Sequence, residues 1–439
     1  MSRTSRINKS HINLATDAAI PQRDLLLDCA EVARRLSAQL GADGAVEINR
    51  CERLRVKYSP GASLRVLHRI QVEAVSYVIA ARTFTRGRSE SAFDRARKRA
   101  VRSGALLPVA RDAEFDTVYW TFPNDRKITK LSALASPPET LADICGEKWV
   151  ESRIVAYAPE KCVTARCLSD RDELLAYVKI YSDEEPCSND IYNALWEKIK
   201  DAKSRLRIPR VINFSEAHRA LFLEPVAGRP IADLDKAEGP DGFRRFGIAL
   251  ALLHSLSVPD AFPAFERLDP NHLRKAAEVI GQARPDVAKL AFGLAEELCA
   301  RRNALTDKAV CLHGDAHPKN GIHHNDSVAL IDLDQAGTGP AAADIGSLLA
   351  ALSYYRRSGL LSSARERELR SMFLRGYAEA RELPEPDSLR WHTAAALLAE
   401  RALRAVSRIR PKGLERLNDL LLDSWNLLTK KEKAPGRIS

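Results

Sequence analysis

AVCLHGDAHPKNGIHHNDSVALIDLDQAGTGPAAADIGSLLAALS (309–353) is the stretch from which the rest of the chain can be read. An apolar run, Ala309–Leu312, delivers His313-Gly314-Asp315, and Asn320 stands five residues after Asp315. Gly321–His324, a turn at Asn325-Asp326-Ser327 and the apolar Val328–Ile331 then read as a hairpin, with Asp332 directly after it. A turn centred on Asp326 sets Asn320 opposite Asp332, with Cβ atoms about 5 Å apart. An amide oxygen and a carboxylate so placed can grip one hard cation such as Mg²⁺, which binds through one or two carboxylates together with substrate phosphates. Asp334, two residues on, falls on the same side, where it touches a second metal or positions the first. Asp315, in a loop opened by Gly314, is placed to accept a hydroxyl proton. Base, metal amide and metal carboxylate are the parts of phosphoryl transfer.

Upstream, two stretches share one pattern. VKYSPGASLRVL (56–67) and VAYAPEKCVTARCL (155–168) both read strand, Tyr-x-Pro turn, strand, and YVIAAR or LAYVKIY follows each as a further strand. A duplicated hairpin module and two unrelated hairpins with similar turn chemistry both account for this. A helix ending at Gly41 precedes the first hairpin, and a helix from Ile191 follows the second. Beyond Gly228 the pattern turns helical, as in FRRFGIALALLHSL (243–256) and HTAAALLAERALRAV (392–406). A β-rich small lobe thus precedes a helical large lobe.

Composition narrows the function classes. The chain has 439 residues and a formal net charge of +10. Residues 1–150 hold 25 basic and 17 acidic side chains, so the basic excess belongs to the N-terminal section. No run approaches the ~18–20 apolar residues of a membrane helix, and residues 1–20 carry no apolar core of a secretory signal. Eight cysteines without a CxxC fit scattered thiols in a reducing cytoplasm. The basic run RGRSESAFDRARKRAVR (86–102) reads as a solvated helix and loop; without interleaved aromatics it gives little support to nucleic-acid binding.

HGDAHPKN followed by IDLDQAGTG and DIGSL resembles the aminoglycoside phosphotransferase and choline kinase family, matching at His313, Gly314, Asp315, Asn320, Ile331, Asp332, Asp344 and Ile345. The resemblance implies an α+β, bilobal, protein-kinase-like fold, here with an additional N-terminal α/β extension. It implies that Asp315 is the catalytic base, that Asn320 and Asp332 hold Mg²⁺, and that Asp344 ties a helix start to the catalytic loop. It calls for a small-lobe lysine on the ATP phosphates. Lys179 in AYVKIY fits, with Glu197 or Asp190 on the following helix as its partner. LFLEPVAGRP resembles the family's hinge, where Glu224 to Val226 would meet adenine, although a strand and loop explain it as well. The division is then 1–148 as a basic extension, 149–223 as nucleotide lobe, 224–230 as hinge and 231–439 as catalytic and substrate lobe. The expected activity is ATP- and Mg²⁺-dependent phosphorylation of a hydroxyl on a small molecule: a sugar, polyol, amino alcohol or antibiotic. The alternative is a catalytically silent kinase-like scaffold. The turn Ala158-Pro159-Glu160-Lys161 departs from protein kinases in having no glycine, and no DFG, APE or HRD triplet occurs. Residues 151–439 net about +2, which points to a neutral or mildly charged acceptor, away from polycationic antibiotics.

Overall fold

The computed structural model describes residues 13–41, 44–85, 87–102, 104–200, 206–260 and 262–429. Most of the N-terminal stretch read for a signal, and the end of the helix read from Ile191, fall outside these residues. Alternating apolar residues build two antiparallel five-stranded sheets. The first comprises β1 (Ile48–Ser59), β2 (Ser63–Val72), β3 (Val75–Thr83), β4 (Val109–Asp112) and β5 (Thr117–Thr121), in the order β1-β2-β3-β5-β4. The second comprises β6 (Glu151–Ala158), β7 (Cys162–Leu168), β8 (Leu174–Tyr181), β9 (Val211–Ser215) and β10 (Ala220–Leu223), in the order β6-β7-β8-β10-β9. One topology is therefore used twice, each time with a helix before the fourth strand: Ser89–Arg97 in the first repeat and Asn189–Ile199 in the second.

The repeat extends to single hydrogen bonds. Asp17 accepts from the N–H groups of Ala19 (3.0 Å), Ile20 (3.3 Å) and Gly61 (2.9 Å) and from the Tyr58 hydroxyl (2.7 Å). Asp125 accepts from Lys127 (2.8 Å), Ile128 (3.0 Å) and Glu160 (3.1 Å) and from the Tyr157 hydroxyl (2.7 Å). Gly61 and Glu160 both turn the chain in the left-handed region, at φ +68° and +67°. Register sets Arg82 opposite Arg65 as it sets Lys179 opposite Thr164. Arg82 thus occupies the first repeat's counterpart of the Lys179 position.

Period two divides the first sheet's side chains between two cores. Val56, Tyr58, Leu64, Val66, Ile70 and Ile79 pack with Leu36 and with large-lobe residues such as Leu273, Ile280, Leu398 and Val406. Leu67, Ala80, Val118 and Trp120 pack against Val163, Ala165, Val178 and Phe222 of the second sheet. The first repeat therefore sits on the small lobe and also against the large lobe. Where the two repeats meet, buried Glu160 receives Arg126 (2.7 Å), Arg65 (3.1 Å) and Arg82.

The large lobe is helical, as its sequence period indicates. Helices Gly239–His254, Ala341–Arg357 and Ser363–Ala380 share one core with Leu330, Leu333 and Ala336. Into it are set β11 (Ala309–Leu312), which pairs β14 (Gly337–Pro340), and the hairpin of β12 (Gly321–His324) and β13 (Ser327–Leu330). The hairpin register corrects the sequence expectation. His324 faces Ser327 across a two-residue turn in which Asn325 has φ +49°, a loop length favoured in hairpins and a conformation asparagine tolerates. Asn320 consequently faces Ile331, whose N–H donates to the Asn320 carbonyl at 2.9 Å. Asp332 falls one residue beyond, at φ +62°. No helix among the described residues is long and apolar enough to cross a membrane.

Removing the Glu160 carboxylate leaves three guanidinium groups facing one another. Glu160→Ala is expected to destabilise the fold by about 2–3 kcal/mol, read as a lowered midpoint in chemical denaturation. Burial raises the Glu160 carboxyl's pKa, but Arg126 and Arg82 outweigh it and hold it below its ordinary 4.5. The contribution is therefore present at neutral pH and is lost as pH falls below 4.5 through the folded-state value.

Candidate active site

The His313–Asp315 loop is held from behind. Asp344, 1% exposed at the start of Ala341–Arg357, accepts from the N–H of His313 (2.7 Å) and of Gly314 (2.9 Å). It also meets His254 Nε2 at 3.1 Å, and His254 Nδ1 lies 2.8 Å from the Tyr377 hydroxyl. His313 Nε2 donates to the Ile331 carbonyl at 3.0 Å, which ties the loop to the hairpin's exit. Gly314 is required as glycine: its φ is +78°, and a Cβ there would stand 1.7 Å from the Gln335 carbonyl oxygen.

Asp315, Asn320, Asp332, Asp334 and Lys179 line one cleft of about 1890 Å³. Asn320 donates its amide N–H to the Asp315 carbonyl at 3.0 Å, leaving its amide oxygen as the unspent ligand atom. Burial raises the Asp315 carboxyl's pKa, but Arg404, Arg267 and Arg401 outweigh it and hold it well below the usual carboxylate range. Arg404 lies 3.3 Å and Arg267 3.9 Å from Asp315 Oδ1. Asp315 is thus ionised at neutral pH.

Lys179, 6% exposed, pairs with Asp332 at 2.6 Å and with Asp334 at 2.9 Å. Burial opposes its charge, and Tyr192, Asp332 and Asp334 more than restore it. The expected helix carboxylate is not its partner: Glu197 pairs with Lys200 on the helix surface, and Asp190 meets Asn189. That helix supplies hydroxyls instead. Ser188, its N-cap, donates to Asp334 at 2.9 Å, and the Tyr192 hydroxyl accepts from the Leu333 N–H at 3.1 Å. Asp334 also receives the Tyr181 hydroxyl at 3.0 Å, and its side chain is only 15% exposed. Asp332 is 47% exposed, with one oxygen on Lys179. The two carboxylates therefore differ in kind: Asp334 is spent on protein donors, while Asp332 opens on the cleft.

Glu224 and Val226 follow β10 outside the residues that line this cleft, and the Glu224 N–H already donates to the Arg210 carbonyl at 2.9 Å. His317 meets the Tyr355 hydroxyl at 2.9 Å. Burial first, and then Arg401, hold its imidazole down to about 3, so it is neutral and fixes the loop. Lys319 is exposed at the cleft wall.

Sequence reading missed the arginines around Asp315. A helix over Pro386–Ala396 opens into a π turn, Leu397–Ala402, and resumes over Leu403–Ser407. Such turns mark functional sites in many helices. Here it carries Glu400 and Arg401, both buried, and leads to Arg404. Glu400 accepts from the Ser347 hydroxyl at 2.7 Å. The available signal was a basic row, Arg401, Arg404 and Arg408, along an otherwise alanine- and leucine-rich helix.

The profile of the APH phosphotransferase enzyme family matches residues 190–425. No curated protein matches the chain. Among solved structures it is similar to an amicoumacin kinase in complex with AMP-PNP, Ca²⁺ and Ami, at 14% identity, 61% of this chain, 88% of that one and a TM-score of 0.45. It is also similar to a choline/ethanolamine kinase family protein from Mesorhizobium loti, at 16% identity, 68% and 93% coverage and a TM-score of 0.45. A spectinomycin phosphotransferase, APH(9)-Ia, in complex with ADP and spectinomycin gives 12% identity, 64% and 94% coverage and a TM-score of 0.46.

Asp344→Asn turns an amide N–H₂ toward backbone donors and releases the loop. Displacement of reacting groups by about 1 Å costs roughly 10²-fold. A kcat loss of that size is expected for this variant, with nucleotide affinity, measured by calorimetry, nearly unchanged.

Proposed function

The chain belongs to the APH phosphotransferase enzyme family and is a small-molecule kinase; from that premise we propose that it transfers the γ-phosphate of ATP, with Mg²⁺, to a hydroxyl of a small molecule. The observation that carries this reading is the set of Asp315, Asn320, Asp332 and Lys179 around one cleft, with Asp332 open to it. Among the described residues, no three His, Cys, Asp or Glu side chains converge as a self-sufficient metal site. That donor set suits Mg²⁺, which completes its shell with substrate phosphates and water. Asn320 through its amide oxygen and Asp332 through its open oxygen are the residues that would hold it. When bound, Mg²⁺ neutralises charge on the β- and γ-phosphates.

The chain's own residues do the rest. Lys179, buried and charged, offers its ammonium to the α- and β-phosphates. Asp334 with Ser188, Tyr181 and Tyr192 holds Lys179 in place. We assign Asp334 this positioning role ahead of a second metal. Asp315 orients the acceptor hydroxyl and takes its proton as the new O–P bond forms and the bond from the γ-phosphorus to the bridging oxygen breaks. Adenine would lie against the segment from Glu224 to Val226. There the Glu224 carbonyl and the Val226 backbone are the groups to use, since the Glu224 amide is occupied. We take 149–223 as the nucleotide lobe, 224–230 as hinge and 231–439 as the catalytic and substrate lobe, with the second repeat beginning near Asp125. All eight cysteines are free thiols, which fits a cytoplasmic enzyme.

Asp315→Asn should keep nucleotide binding and lose about 10²-fold or more in turnover; near wild-type turnover on an accepted alcohol would remove Asp315 from its role. Asp332→Ala should abolish Mg²⁺-dependent binding of AMP-PNP, and Asn320→Ala should weaken it. Arg82→Ala should leave AMP-PNP affinity within about twofold, because the first repeat's counterpart of Lys179 is already satisfied by Glu160.

A further inference from the structure

The cleft that holds Asp315 is strongly cationic. Thirteen arginine and lysine side chains line it against six carboxylates, although residues 151–439 as a whole net only about +2. Much of the central excess is cancelled: Lys179 by Asp332 and Asp334, Arg404 by Asp315, Arg401 by Glu400. Four cations on one side are not. Arg55 and Lys57 project from β1 of the first repeat, and Arg408 and Arg410 follow the Leu403–Ser407 helix. No carboxylate among the described residues pairs with any of them.

These four come from walls that meet. Strand β1 packs on the Leu403–Ser407 helix, and Val56 and Tyr58 share a core with Ala405 and Val406. Arg55 and Lys57 alternate with those buried residues and are accessible from the cleft. The cations feel one another. Burial first, and then Arg404, Arg410 and Arg55, push Arg408 down to about 9. Burial and then Arg408, Arg65 and Arg404 lower Lys57. Gathering like charges in a half-closed space opposes folding, and an anionic ligand relieves it. The rings beside the cluster, Tyr354 and Tyr355, meet edge to face, and Arg410 lies over Tyr354 at 5.9 Å, so this concave site suits a small anion better than a run of stacked bases.

We infer that the acceptor is an anionic alcohol whose phosphate or carboxylate group is held by Arg55, Lys57, Arg408 and Arg410, so that the N-terminal repeat supplies half of the acceptor site. This replaces the neutral or mildly charged acceptor suggested by the net charge of residues 151–439, because the cleft itself is far more positive than that net charge. It rests on the phosphotransferase reading for the identity of the second substrate. The Leu403–Ser407 helix on which β1 packs carries Arg404, 3.3 Å from Asp315, so the cluster borders the base's side of the cleft. Nucleotide phosphates are assigned instead to Lys179.

The test uses the full chain with its nucleotide site filled by saturating Mg²⁺·AMP-PNP. Calorimetric titration with inorganic phosphate should give saturable binding. Lys57→Ala and Arg408→Ala should each weaken it about tenfold or more, Lys57→Arg should stay within about threefold of wild type, and AMP-PNP affinity should change less than twofold in all three. Absence of saturable phosphate binding overturns the proposal. So does a loss confined to AMP-PNP affinity, which would give the cluster to the nucleotide. ATP consumption is then compared across glycerol, glycerol 3-phosphate and glycerate, and across glucose, glucose 6-phosphate and gluconate. Turnover confined to charged members supports the proposal, and the phosphate and carboxylate arms identify which group is bound. A kcat/KM for a neutral member equal to or above its charged partners overturns it. If AMP-PNP fails to bind while phosphate binds and responds to Lys57 and Arg408, the phosphotransferase reading fails and the anion site stands.

Discussion

A single buried carboxylate organises the catalytic end of this protein. Asp344 stands where a helix begins, takes two consecutive backbone N–H groups of the His313–Asp315 loop and is itself braced by His254. Backbone donors buried without an acceptor cost free energy, so the loop has one low-energy path through this part of the core. Everything reactive follows from that path. His313 is turned to reach the hairpin exit, Gly314 closes against Gln335, and Asp315 emerges on the cleft side. The charge of Asp344 also lies near the helix N-terminus, where a negative group is favoured.

Charge is distributed in the cleft by a division of labour among carboxylates. Asp334 is enclosed by Lys179, Tyr181 and Ser188, so it works on the lysine. Asp332 shares the same lysine yet keeps half its surface open. Asp315 is balanced by Arg404 and Arg267 from two different parts of the large lobe. This balance keeps Asp315 ionised and lowers the intrinsic basicity of the base we propose. The compromise is tolerable where the transition state is loose and positioning counts for more than proton abstraction.

That Asp315, Asn320 and Asp332 meet around one cleft was legible from their residue types and spacing. Lys179 was legible as a lysine in an apolar strand, which is costly unless paired. Its partners were not, since they lie 153 and 155 residues away and the resemblance called for Glu197 or Asp190 on the following helix instead. The hairpin was read one residue out of register, because symmetry about Asp326 and a two-residue turn at Asn325-Asp326 fit the same apolar pattern. Arg404 was read only as part of a helix; the fold brings it across 89 residues to Asp315. Of the duplication, the Tyr-x-Pro turns were visible, whereas Asp17 and Asp125 became visible as counterparts only through their matching sets of hydrogen bonds.

The two repeats show how one backbone plan acquires two roles from one turn residue. Gly61 and Glu160 occupy matching left-handed positions, where glycine is unstrained and glutamate is disfavoured by about 1 kcal/mol or more. Glu160 is nevertheless held there, because its carboxylate meets Arg65 and Arg82 in the adjoining repeat and Arg126 in its own. The hairpin of the second repeat thereby closes the first repeat at the position that Lys179 occupies in its own. Once its central position is closed, the first repeat contributes through its edge strand. That strand, β1, is the one packed on the large lobe beside Arg404 and Arg408. The first repeat, occupied at Arg82 by Glu160, thus serves as a wall of its neighbour's cleft.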